Sequence, residues 1–169
     1  MRARRHSLSP GAPRLIESVP NILESLLKAN SLARYWSEWR RRSSGNAALL
    51  VDELKNNLRF CKLVLEDGAD IGATLDVLST AHYDRLLGED PQFRALKPRR
   101  IRDFRSLANT DLAAWRGRPT ADLVNSVYDK IKDLRTMYPR QNDSQKRRWR
   151  VRVINLRKRI LLLLRNAQA

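Results

Sequence analysis

Nine arginines in two short runs carry the most distinctive chemistry in this chain: Arg99, Arg100, Arg102 and Arg105 in one, Arg148, Arg150, Arg152, Arg157 and Arg159 in the other. The guanidinium group is planar, stays charged at any ordinary pH, and is shaped for paired hydrogen bonds to phosphate or carboxylate. It does not shuttle protons, so these runs point to holding an anion and not to acid–base catalysis. If the second run is helical, Arg148, Arg152 and Arg159 share one side and Arg150 and Arg157 lie on the opposite flank. Charges in this number cannot be buried without partners, so water or an anion must meet them. Trp149 stands among them with two possible uses, a platform for an unstacked base or a core residue, and its helical register favours the core.

The residues that could support catalysis are few. His6 and His82 are the two histidines, and neither sits in a metal-ligand or nucleophile motif; His82, beside Tyr83 and Asp84, reads as a surface or capping residue. No H-E-x-x-H, paired-cysteine or Gly-rich phosphate motif occurs. Asp52 with Glu53, and Glu89 with Asp90, are sequence neighbours, so on a helix they point to different sides and read as solvated charges. Cys61 is the single cysteine. It excludes an intramolecular disulfide and a multi-cysteine zinc site, fits a reducing compartment, and falls within an apolar stripe, where it reads as a small core residue and not a nucleophile. A non-enzymatic protein with no cofactor or metal is expected, in the cytoplasm.

Charge is distributed unevenly along the chain. The formal net charge is +16 over 169 residues. Residues 1 to 14 contain four arginines and no acid, and residues 140 to 169 contain ten bases against Asp143. Residues 45 to 90, by contrast, have four bases and nine acids. The acidic part could face the basic helix of the same molecule, which would neutralise some of it without any external ligand. It is too small to absorb the whole excess.

Those bases must be positioned by helices. Few glycines and few β-branched runs argue against sheet, and apolar residues recur at helical spacing. Trp149, Val153, Leu156, Ile160 and Leu163 step by four and three residues along a final helix over about 143 to 166. A second long helix is expected over 46 to 67, capped by Asn46 and closed by Gly68, with Leu50, Leu54, Leu58, Cys61 and Leu65 in one stripe. A third, over 120 to 138, has Thr120 as its cap, Leu123, Val127, Ile131, Leu134 and Tyr138 inward, and Pro139 at its end. The short loop after it makes the last two helices antiparallel neighbours. Short connecting helices are expected through Ile71, Leu75 and Leu78, from Ser79 or Thr80 to Gly88, after Pro98 through Ile101, Phe104 and Leu107, and around Leu112 and Trp115. Before these, residues 21 to 29 and 32 to 42 read as two helices, the second with an aromatic face of Tyr35, Trp36 and Trp39. Residues 1 to 12 read as a disordered basic arm, and 13 to 169 as a single helical domain.

The fold expected is therefore all-α, an irregular helical bundle with three long helices, short connectors and a basic N-terminal arm. No apolar run approaches the length of a membrane span, and the basic start is followed by no apolar stretch of the kind that directs secretion. The function expected is binding of RNA or DNA through the phosphate backbone with low base specificity, the arginine runs forming the surface and Arg2, Arg4 and Arg5 extending it. The alternative is a helical interaction or oligomerisation module whose basic face is self-neutralised or meets an acidic partner protein. Adsorption to a membrane surface is disfavoured because the apolar face of the last helix is wanted by the core. No small-molecule substrate is evident.

Overall fold

A computed structural model describes residues 45 to 140 and 148 to 168. The basic arm, the two helices expected near 21 to 29 and 32 to 42 with their aromatic face, and the loop and first turns ahead of residue 148 lie outside the described residues. Among the described residues five α-helices follow one another: α1 Asn46–Leu65, α2 Ile71–Val77, α3 Ala81–Glu89, α4 Thr120–Met137 and α5 Trp149–Gln168. Single 3-10 turns occur at Arg105–Leu107, Ala113–Trp115 and Tyr138–Arg140, and no strand occurs among the described residues. The protein is an all-α bundle, and its three long helices are those the apolar periodicity predicts.

Helix α5 is the central element, packing against α1 along one side and α4 along another. Its predicted stripe is all interior: Trp149, Leu156 and Ile160 are fully buried, and Val153 and Leu163 nearly so. Leu161, Leu162 and Leu164 are buried as well, so the second half of α5 is enclosed around most of its circumference, Arg159 and Arg165 remaining partly exposed. Burial of each such side chain contributes about 1.5–3 kcal/mol relative to exposure, which makes this helix the main source of the fold's stability. Both neighbours run antiparallel to it. The ring of Tyr138 at the end of α4 meets Trp149 edge-on at 5.1 Å, while Thr120 at the start of α4 bonds Asn166 near the end of α5. The far end of α1 likewise meets the first turns of α5, through Leu65 and Glu66.

Several helix ends are satisfied differently from the sequence expectation, and the reason is tertiary. Asn46 does not cap α1; its amide donates to Glu89 and its carbonyl accepts from Arg85, tying α1 to α3. Thr80 does not cap α3 with its side chain, and the Ser79 hydroxyl meets only the first of its donors, accepting from Ala81 N–H at 3.3 Å. The carboxylate of Glu53, buried on α1, accepts from the Ser79 hydroxyl at 2.7 Å and from the backbone N–H groups of His82 at 2.8 Å and Tyr83 at 3.2 Å. Glu53 is thus no solvated charge: a carboxylate at the positive end of a helix replaces water with fixed donors. Asn57, one turn along α1, exchanges two 2.8 Å bonds with the Ser79 backbone. Thr120 opens α4 but turns its hydroxyl to the Pro98 carbonyl at 2.6 Å instead of capping. The expected helix through Ile101 and Phe104 is reduced to the 3-10 turn at 105–107, because Ile101 is drawn into backbone bonds with Gly117 and Arg118. Gly68, at φ 70°, does close α1 as predicted, with the Ala69 N–H reaching back to Leu63.

Candidate nucleic-acid interface

The first arginine run sits on a loop that backbone and buried polar groups hold in place. Residues 98 to 101 lie antiparallel to 117 to 120: Ile101 N–H donates to the Arg118 carbonyl at 2.9 Å, Gly117 N–H to the Ile101 carbonyl at 2.9 Å, and Thr120 N–H to the Arg99 carbonyl at 2.7 Å. Asn166, fully buried near the end of α5, locks this pair of segments. Its carbonyl accepts from Arg102 N–H at 3.0 Å, and its amide donates to the Thr120 hydroxyl at 3.1 Å and, more weakly, to the Arg100 carbonyl at 3.4 Å. The backbone being committed inward, the side chains of Arg99, Arg100, Arg102 and Arg105 are all exposed. Arg100 spends one N–H on the Gly117 carbonyl at 2.7 Å. The other three have no ion-pair or hydrogen-bond partner for their side chains among the described residues.

The second run divides in two. On the side facing α4, Arg152 lies over Trp149 at 4.7 Å and Arg159 over Trp115 at 5.5 Å; about a third of a turn around the helix, Arg165 lies over Phe104 of the loop at 4.3 Å. Arg118 lies over Trp115 as well, at 4.8 Å. A guanidinium stacked on a ring gains roughly 0.5–2 kcal/mol and gives up rotamer freedom before any ligand arrives. Arg159 also donates to the Ser126 hydroxyl, and Arg165 to the Ser106 hydroxyl at 2.5 Å. Burial lowers the affinity of Arg159 and Arg165 for their protons, but guanidinium remains charged near neutrality. Lys130, on α4, is depressed for the same reason, burial, and then by Arg159 and Arg152, with Asp133 opposing. Cations lie close together along this seam, with Asp111 beside Arg159 and Asp133 beside Lys130 offsetting part of their repulsion, and an arriving anion would offset more.

The other flank is consumed within the molecule. Arg157, half-buried, pairs with Glu66 at 2.8 Å, and its Nε is enclosed without a hydrogen-bond partner. Arg150 donates to the Leu65 carbonyl at 2.6 Å. Both thus meet the negative end of α1, where a cation is favoured by the last unpaired carbonyls. Lys158 pairs with Asp111 at 3.1 Å. Of the nine arginines singled out from the sequence, then, Arg148, Arg152, Arg99, Arg102 and Arg105 are exposed with no ionic or hydrogen-bond partner among the described residues, Arg100 and Arg159 are partly engaged, and Arg150 and Arg157 face α1. Arg118, Lys130 and Arg165 join the first group in space although they were not among the nine. Arg165 lies seven residues beyond Lys158, on that side of the helix and not on that of Arg159, so no periodicity in the sequence joins it to the row, and nothing local signals the other two.

The loop and the helix meet. Phe104 and Ser106 lie under Arg165, and Arg102 is bonded to Asn166, so the loop arginines continue the row of α5 at its C-terminal end. Trp149 is fully buried and offers no platform for a base. Cys61 is enclosed too, with its thiol pushed up to about 12, chiefly by burial, so it is not a nucleophile at neutral pH. Among the described residues no group of three or more His, Cys, Asp or Glu is placed to hold a metal ion, and no helix is long and apolar enough to cross a membrane. No protein-family model, curated protein or solved structure matches the chain.

Proposed function

We propose that this chain binds nucleic acid through the sugar–phosphate backbone, with little base preference and without catalysing a reaction. The observation that carries this reading is the row of guanidinium groups along one side of α5, Arg148, Arg152 and Arg159, the last two over aromatic rings, with Arg99, Arg102, Arg105 and the ring-held Arg165 at the C-terminal end of the helix. From residue 148 to 166 the helical rise amounts to about 27 Å, enough to meet several successive phosphates. Arginines held over rings have less rotamer freedom to lose on meeting phosphate oxygens, and those N–H groups not spent on Ser126 and Ser106 are left to donate. The first turn of α5 contains no acid, and Arg152 sits at its positive end, where a cation is disfavoured by roughly 0.3–1 kcal/mol unless an anion answers it. Backbone contacts of this kind fix position without reading sequence, and nothing in the row addresses base edges.

The test is a mobility-shift titration with mixed-sequence single- and double-stranded RNA and DNA. The expected result is binding to at least one of these that weakens steeply with salt and is lost when Arg148 and Arg152 are both changed to Glu. A concentration-dependent rise in mass with no shift of any oligonucleotide would favour an oligomerisation module instead.

A further inference from the structure

A cavity of about 630 Å³ opens between residues 91 to 100 and the first turn of α4. Its size falls within the range of sites for small organic ligands, roughly 300–1,000 Å³. Its lining is of two kinds. Arg94, Arg99 and Arg100 supply positive charge against the carboxylate of Asp122, which lies 3.7 Å from Arg118; Arg94 itself lies 4.0 Å from Asp90 and donates to Gln92 at 3.1 Å. Pro91 and Pro119 supply exposed apolar surface, with buried Phe93 behind them.

Two features suit this cavity to more than a bare anion. Asn125, in its wall, accepts from the Tyr83 hydroxyl at 3.2 Å, which fixes the amide and leaves its NH₂ without a partner among the described residues. A fixed, half-buried donor is what orients the edge of a heterocycle. Phe93 holds a backbone φ of 46°, which costs a bulky side chain strain. It is retained at the cavity wall, where its ring caps a stack with Tyr83 at 5.7 Å and Tyr128 at 4.2 Å from Tyr83.

We propose that this cavity holds a single nucleotide, its phosphate among Arg94, Arg99 and Arg100 and its ring along Pro91 and Pro119, with the Asn125 amide donating to the ring's edge. The nucleotide is either free or the end of a bound strand. Taking the anion to be a nucleotide rests on the nucleic-acid reading above; the cavity and its charge do not. The probes are the four common nucleoside 5′-monophosphates, ribose 5-phosphate and inorganic phosphate, each titrated calorimetrically into the full chain. At least one nucleotide should saturate a single site, about tenfold or more tighter than ribose 5-phosphate. Arg99→Glu, on an exposed residue, should weaken it by about tenfold or more, and so should Ala121→Leu, which narrows the cavity. If Ala121→Leu also weakens a twelve-nucleotide strand, the occupant is a strand's nucleotide; if it weakens the mononucleotide alone, the occupant is free.

The proposal is overturned if no mononucleotide saturates up to about 1 mM, if ribose 5-phosphate binds equally well, or if neither variant changes the binding. Where those results coincide with normal oligonucleotide binding, only the cavity assignment falls. Where oligonucleotides also fail to bind, the nucleic-acid reading falls with it.

Discussion

Asn166 is the residue on which the geometry of the arginine loop turns, and Asn166→Ala tests that role. The side chain is fully buried, and its loss removes the partner of Arg102 N–H, one bond to the Thr120 hydroxyl and the weaker one to Arg100. Thr120 keeps its bond to Pro98, and Arg102 is near enough to the surface for water to reach part of the way. The cost is therefore that of one poorly satisfied N–H, about 1–2 kcal/mol, plus a small cavity. Together these come to about 1.5–3 kcal/mol, or a fall of roughly 4–10 °C in Tm for a chain of this length. Urea denaturation and amide exchange read the two parts separately. Exchange at Arg102 should quicken by more than the loss of global stability accounts for, because the loop opens on its own. No cation is removed, so the salt dependence of oligonucleotide binding should keep its slope. A stability change below about 0.5 kcal/mol with Arg102 still protected would refute the claim that Asn166 holds the loop.

Three further outcomes are expected. Cys61 should resist alkylation at pH 8 while the chain is folded and react at the rate of global unfolding, as mass spectrometry of labelled protein would show; prompt labelling would mean that α1 opens locally. Burial alone would raise Asp84, but hydrogen bonds from Lys132 and Thr80 hold it below the ordinary 3.8, and the Asp84 contact in turn raises Lys132. The contribution of Asp84 to stability is therefore present above pH 3.8 and lost as pH falls through its depressed value, while that of Lys132 is present up to its ordinary 10.5 and lost above it. Lys132→Gln should move the carboxyl titration of Asp84 upward in NMR, and no movement would remove the pairing from the list of pH-dependent contacts. Lys130, held down by burial and by Arg159 and Arg152, should titrate at higher pH once an oligonucleotide is bound, because the anion offsets that repulsion. An unchanged or lower value would place the strand elsewhere.

What could be read in the sequence was periodicity, and what could not was contact across the chain. Trp149, Val153, Leu156, Ile160 and Leu163 define the buried face of α5 because a helix repeats every 3.6 residues whatever it packs against. The same arithmetic separates Arg150 and Arg157 from Arg152 and Arg159. It does not reveal that the end of α1 waits on one side and the ring of Trp115 on the other. Capping failed for a related reason. Asn46 and Thr80 have the right chemistry for local caps, but Glu53, twenty-nine residues ahead of His82, takes the α3 donors, and Asn46 is drawn to Glu89. The loop arginines were legible as a cluster, whereas their fixation by Asn166, sixty-four residues beyond Arg102, depends on the way the chain closes on itself. Arg118, Lys130 and Arg165 gain significance only from the same closure.

The most direct measurement is the salt dependence of oligonucleotide affinity. If Arg99, Arg102, Arg105, Arg148 and Arg152 each neutralise one phosphate, log K should fall against log salt with a slope of about −3.5 on a single strand or about −4.5 on a duplex. Arg148→Gln together with Arg152→Gln should reduce that magnitude by about 1.4 or 1.8 respectively, weakening binding alike for every sequence tested. Failure to bind any oligonucleotide at about 50 mM salt, or a slope that the double variant leaves untouched, would contradict an arginine row that meets a nucleic-acid backbone.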